Sequence, residues 1–172
     1  MAKSVRIGDD FADGALMDVV QNAMQRDKLR SMVEDAKAKG ATVLYQGDIP
    51  EGGGFWFPIT ILADLPADAT AVKDEAFGPL LTIHRFSDPE DALARANASP
   101  YGLGASVWSD DVDAAVTLAE RMDSGTAWVN HHPAMEPDIP FGGLKNSGMD
   151  VEGSRWGLMQ YINIHVVNVK KN

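Results

Sequence analysis

The chain has 172 residues, no cysteine, and a formal net charge of −10 from 25 acidic against 15 basic residues. That length suits one domain with a substantial core, and zero cysteine excludes disulfides and thiolate metal sites. The basic residues are scattered apart from Lys170-Lys171, which argues against nucleic acid, since a phosphate-binding surface needs clustered Lys and Arg. No apolar run approaches the roughly 20 residues of a membrane span. The start, Met1-Ala2-Lys3-Ser4-Val5-Arg6, lacks the apolar stretch of a secretory signal, so a cytoplasmic protein is expected.

In chain order, residues Asn22 to Lys39 read as a helix, with apolar positions at Met24, Leu29, Met32, Val33 and Ala36 and a stop at Gly40. Thr42-Val43-Leu44-Tyr45 reads as a strand, Gly52-Gly53-Gly54 as a loop, and Phe57 to Leu62 and Leu80 to Phe86 as further strands. Ser87 with Glu90 has capping-box spacing and opens a helix through Asn97, before Pro100 ends the helical run. Gly104 to Trp108 is a strand. Asp110 is expected to cap the next helix, whose Val112, Ala115, Val116, Ala119 and Met122 form one stripe. Thr126 to Asn130 follows as a buried strand, Glu152 to Tyr161 as a last helix, and Ile162 to Val169 as a final strand. Alternating strands and helices predict a single α/β domain over 1–172, with a largely parallel sheet flanked by helices and a C-terminal edge strand.

Three segments invite a chemical reading. In Asp74-Glu75-Ala76-Phe77-Gly78-Pro79, the glycine and proline force a turn that fixes where Glu75 and Phe77 point. A carboxylate there can accept hydrogen bonds from vicinal ribose hydroxyls, and a ring can pack on a nicotinamide; an ordinary surface Glu and a turn-anchoring Phe fit the same residues. Pro140-Phe141-Gly142-Gly143-Leu144-Lys145-Asn146-Ser147-Gly148 contains a G-x-x-x-x-G spacing, but Met149-Asp150 follows where a phosphate loop needs Lys-Ser/Thr. The phosphate-loop reading is rejected, and the glycines are read as permitting a tight backbone passage. The loop His131-His132-Pro133-Ala134-Met135-Glu136-Pro137-Asp138 resembles a metal cluster only superficially, because its prolines prevent a helix that would align His132 with Glu136. The dinucleotide fingerprint G-x-G-x-x-G is matched nowhere.

The two glycine motifs, with Tyr101-Gly102-Leu103 and Thr126-Ala127-Trp128-Val129-Asn130 between them, resemble the C-terminal part of the aldehyde dehydrogenase superfamily. The resemblance runs from Val5-Arg6-Ile7-Gly8-Asp9 to the last strand. It implies an aldehyde-dehydrogenase-like catalytic domain, without a dinucleotide-binding domain. It implies oxidation of an aldehyde to a carboxylic acid with NAD or NADP as hydride acceptor, through a cysteine thiolate that this chain does not contain. By resemblance Glu75 holds the nicotinamide ribose, Phe77 contacts the nicotinamide ring, Gln25 and Lys28 reach the adenosine end of the cofactor, and Phe141 lines the aldehyde tunnel. Gln25 and Lys28 read equally well as exposed helix side chains. Where the family has Gly-Pro before this helix, this chain has Asp18-Val19.

The resemblance makes 131–138 an aldehyde-selecting loop and the C-terminal strand part of an oligomerisation arm, through which the chain forms a homo-oligomer or pairs with a related subunit. Ser4 and Ser147 are the hydroxyls nearest the motifs in sequence, but neither has an evident base to activate it. The expected function is therefore the C-terminal part of an NAD(P)-dependent aldehyde dehydrogenase, binding cofactor weakly or not at all by itself and without turnover alone. The other reading is a non-catalytic binding or assembly module that pairs with an intact relative.

Overall fold

The computed structural model describes residues 2–8 and 14–171. Asp9, part of the N-terminal match, and Met1 lie outside the described residues. The chain divides into two compact units, Met1–Arg85 and Phe86–Asn172.

The first unit is built on helix α1 (Ala23–Ala38), which Asn22 caps by accepting from the Gln25 backbone N–H at 2.8 Å. Its buried residues, Gln25, Leu29, Met32, Val33 and Ala36, recur at the helical period and face the core. That face packs on a three-stranded sheet of order β1-β2-β3, made of β1 (Thr42–Gln46), β2 (Thr60–Ala63) and β3 (Leu80–Ile83). The core joins Leu29, Val33 and Ala36 to Phe57, Leu62, Leu65 and Ala69. β1 pairs antiparallel with β2, and β2 parallel with β3. A parallel pair needs a crossover, and residues 64–79 supply it, including the short helix α2 (Thr70–Lys73) that the sequence did not announce. The residue preceding α2 is Ala69, which cannot cap; the carboxylate of Asp35 on α1 accepts from the Thr70 N–H (2.8 Å) and hydroxyl (2.9 Å) instead.

The second unit contains a βαβ crossover. Helix α4 (Val112–Ala119) connects β5 (Gly104–Val107) to its parallel partner β6 (Thr126–Val129). Ahead of it come α3 (Pro89–Asn97) and β4 (Tyr101–Gly102); after it come β7 (Phe141–Gly142), β8 (Leu144–Lys145), β9 (Val151–Glu152) and α5 (Ser154–Met159). β4 pairs antiparallel with β8, and β7 with β9.

Three local expectations are corrected. Asp88, not Ser87, caps α3, accepting from the Glu90 N–H at 2.9 Å, because Pro89 has its fixed φ at the first helical position. Asp111, not Asp110, caps α4 through the Ala114 N–H at 3.0 Å, with its own N–H held by the Ser109 hydroxyl. Residues 162–171 form no strand. Their backbone meets no partner strand among the described residues, and Ile164, Val166, Val167 and Val169 stay 73–79% exposed.

Candidate functional site

Within the first unit, α1 and the 74–79 loop meet through the main chain of the loop. The Gln25 amide nitrogen donates to the Ala76 carbonyl at 2.6 Å and to the Phe77 carbonyl at 3.1 Å. The Lys28 ammonium donates to the Glu75 carbonyl at 2.7 Å. One turn on, Leu29 lies so close to Gly78 that a Cβ there would meet Leu29 Cδ1 at 2.5 Å and force the leucine side chain to shift. On the other side, the Pro79 carbonyl accepts from the Thr60 N–H at 2.8 Å, fastening the loop to the sheet.

Phe77 sits at φ 50, a left-handed conformation that costs a non-glycine residue about 1–2 kcal/mol. Such strain persists only where surroundings enforce it, and the bonds from Gln25 do so. The outcome is a loop whose carbonyls are held while the side chains of Glu75 and Phe77 are exposed. Glu75 is exposed, and the Phe77 ring is 68% exposed, an unusual state for a phenylalanine. Gln25 is buried and Lys28 exposed, and both are bonded to the loop.

In the second unit, Phe141 is half-buried and organised by Trp128. The two rings lie 6.3 Å apart at 31°, and His132 stands edge-on to Trp128 at 4.9 Å. The Trp128 Nε1–H donates to the Ala134 carbonyl at 2.9 Å, tying the 131–138 loop to β6. Trp128 thus joins Phe141 to that loop. The sequence marked it only as a buried strand residue, although a buried indole N–H needs an acceptor, which was the available signal. Just after β6, Asn130 takes φ 58 and pairs with both main-chain groups of Ser109 at 2.9 Å, fixing the point where the loop departs.

The rest of the Pro140–Gly148 motif is structural. Lys145 donates to the Asn97 carbonyl (2.7 Å) and the Ser99 carbonyl (3.1 Å), at the end of α3, and pairs with Asp123 at 3.5 Å. Asn97 in turn bonds the Arg121 carbonyl and the Asp123 N–H, closing a knot between α3, the end of α4 and β8. The Ser147 hydroxyl accepts from the Gly102 N–H at 2.9 Å. A Cβ at Gly142 would overlap the Asp150 carbonyl, and one at Gly143 would meet the Ser147 carbonyl at 2.6 Å, a tight passage at these two glycines of the motif. The amine of Lys145 is thus occupied by carbonyls and ends no phosphate loop.

The charges with resolved titration shifts belong to the scaffold. Thr70 hydrogen bonds and then Lys39 hold the Asp35 carboxyl below the usual range, and Asp35 raises Lys39. Arg121 bonds both carboxylate oxygens of Glu90, at 2.7 and 2.5 Å, lowering Glu90 and raising Arg121. Among the described residues, no group of three or more His, Asp or Glu side chains could hold a metal, and no helix is long and apolar enough to cross a membrane.

A family model described as "Aldehyde dehydrogenase family" matches residues 1–167. The chain belongs to the aldehyde dehydrogenase family. It is 43% identical over 139 residues to a succinate-semialdehyde dehydrogenase [NADP(+)] of Deinococcus radiodurans, covering 81% of this chain and 29% of that protein. It is 34% identical over 172 residues to a betaine aldehyde dehydrogenase of Brucella melitensis, covering 98% of this chain and 35% of that one. Among solved structures it resembles betaine aldehyde dehydrogenase from Staphylococcus aureus in complex with NAD+, with TM-score 0.86 and 32% identity over 93% of this chain and 32% of that one. This aldehyde dehydrogenase family chain therefore spans about a third of the length of these relatives.

Proposed function

We propose that this chain is the C-terminal part of the catalytic domain of an NAD(P)-dependent aldehyde dehydrogenase, contributing cofactor- and substrate-positioning surfaces but not the nucleophile. The observation that carries the reading is the 74–79 loop, whose carbonyls are bonded to α1 while Glu75 and Phe77 face outward. A bound nicotinamide dinucleotide would supply the hydride acceptor. The outward Glu75 carboxylate suits it chemically, since an ionised acid accepts from two vicinal ribose hydroxyls without giving up an internal partner. The Phe77 ring offers an apolar face to the nicotinamide and limits where it can rest. Phe141, packed near Trp128, provides an apolar wall that orients an aldehyde chain and excludes water.

The sequence has no cysteine to attack the carbonyl. Removing a nucleophile costs about a million-fold in kcat in the protease case where it was measured. The chain by itself is therefore expected to give no turnover. Purified chain with NAD or NADP and a panel of aldehydes should leave the reduced-nicotinamide absorbance flat. Adding a cysteine-bearing cofactor-domain polypeptide from a relative should restore turnover, and Glu75→Gln should abolish the restored rate. Turnover that tracks the concentration of this chain alone through repurification would overturn the reading.

A second reading, a non-catalytic module that assembles with an intact relative, is favoured by one feature. The 162–171 segment exposes Ile164, Val166, Val167 and Val169 and pairs with no strand among the described residues, a surface suited to strand addition. Sedimentation with and without a full-length relative tests it: complex formation abolished by proline at Val166 supports it, and independent sedimentation rejects it.

A further inference from the structure

The resemblance alone assigns Gln25 and Lys28 to direct contact with the adenosine end of the cofactor. The geometry points to another role. We infer that Gln25 and Lys28 are positioning residues: they act through the main chain of residues 75–77 to hold Glu75 and Phe77 in the conformation that meets the nicotinamide half of a dinucleotide. The inference rests on the cofactor reading above and deepens it.

Three observations converge. First, Gln25 is buried, and its amide nitrogen spends its donors on two successive carbonyls, Ala76 and Phe77. A buried amide bonded in this way is not available to a ligand in solvent. Second, Phe77 is left-handed at φ 50, a state a phenylalanine does not hold unaided, and the carbonyls that flank this residue's φ torsion are those Gln25 binds. Third, Lys28, three residues along α1, reaches the Glu75 carbonyl, so one helix edge addresses three consecutive carbonyls. Leu29 abuts Gly78 and closes the clamp from below. Asn22 completes it by capping α1 at the Gln25 N–H, which fixes the helix end from which the amide projects.

A side chain that loses this clamp leaves Glu75 and Phe77 chemically intact but free to sample other orientations. Preorganisation of this kind is felt in ligand affinity, because ordering the loop is then charged against binding.

The test uses the whole chain, with nicotinamide mononucleotide as the probe, in Gln25→Glu (isosteric, without the donors), Lys28→Met, Lys28→Arg and Glu75→Gln. Amide hydrogen exchange at residues 74–78 and chemical-shift titration with millimolar probe are read on the same samples. Gln25→Glu should accelerate exchange at 75–78 and weaken probe binding by about tenfold, with exchange at Leu62 and Ala63 unchanged. Lys28→Met should do the same to a smaller degree, and Lys28→Arg should restore both. Unchanged exchange at 75–78 in Gln25→Glu, or acceleration that spreads equally to Leu62 and Ala63, overturns the inference. So does probe affinity equal to that of the unsubstituted chain despite a loosened loop. If Glu75→Gln binds the probe as well as the unsubstituted chain does, the cofactor reading itself fails and the inference falls with it; where the chain alone binds no probe, exchange at 75–78 decides the inference.

Discussion

The Asp35 carboxylate on α1 accepts from both the N–H and the hydroxyl of Thr70, so a helix 35 residues away supplies the cap that Ala69 cannot give to α2. Those bonds, with Lys39 beside them, depress the Asp35 carboxyl below its ordinary value of 3.8. A depressed folded-state pKa stabilises the fold at pH above the unfolded value, and that contribution is lost as pH falls through the folded value. The chain should therefore lose thermal stability as pH drops below about 4, and Asp35→Asn should flatten that acid limb while lowering the midpoint near neutrality. Thermal melts of both proteins across the acid range check the sign; an unchanged acid limb in Asp35→Asn would contradict it.

Gly78 and Leu29 should be coupled. Leu29 is fully buried, so Leu29→Ala is expected to cost about 2–5 kcal/mol. Gly78→Ala alone should destabilise as well, because the new methyl meets Leu29 Cδ1. In the Leu29→Ala background the same methyl enters vacated space, and its cost should shrink or vanish. Urea unfolding of the four proteins closes the cycle, and simple additivity would exclude the contact.

Lys145 ties β8 to the end of α3 by charge-assisted hydrogen bonds to two carbonyls. Lys145→Met should destabilise the second unit by about 1–3 kcal/mol. Followed through amide exchange along β4 and β8, the effect should be absent from α1, in the first unit.

Trp128→Phe keeps an aromatic surface near Phe141 but removes the N–H bonded to Ala134. Exchange and proteolysis within 131–139 should quicken, at a stability cost of about 1 kcal/mol. Equal protection of that loop in both proteins would show that the indole N–H does not anchor it.

The capping residues give a paired test. Asp111→Ala should cost about 0.5–2 kcal/mol and Asp110→Ala almost nothing, because only the Asp111 carboxylate reaches the Ala114 N–H. The same ordering is expected for Asp88→Ala over Ser87→Ala. Thermal midpoints decide both.

Much of this was present in the amino-acid order. The apolar period from Leu29 to Ala36, the Gly40 stop, the strand at 126–129 and the turn at Gly78-Pro79 are local properties, written in residues within a few positions of one another. The two glycine motifs likewise named the family. Helix caps were legible only to within a residue, since Ser87 and Asp88, or Asp110 and Asp111, are equally able acceptors until backbone geometry chooses between them.

What the order of residues could not decide was any partnership spanning the chain. That Gln25 binds the carbonyls of Ala76 and Phe77, that Asp35 caps α2, and that Lys145 fastens α3 all depend on segments 35 to 52 residues apart being folded together. The tail from Ile162 shows the converse. Its β-forming residues favour an extended chain, but a strand exists only where another backbone satisfies its N–H and C=O groups, and local sequence carries no information about that partner.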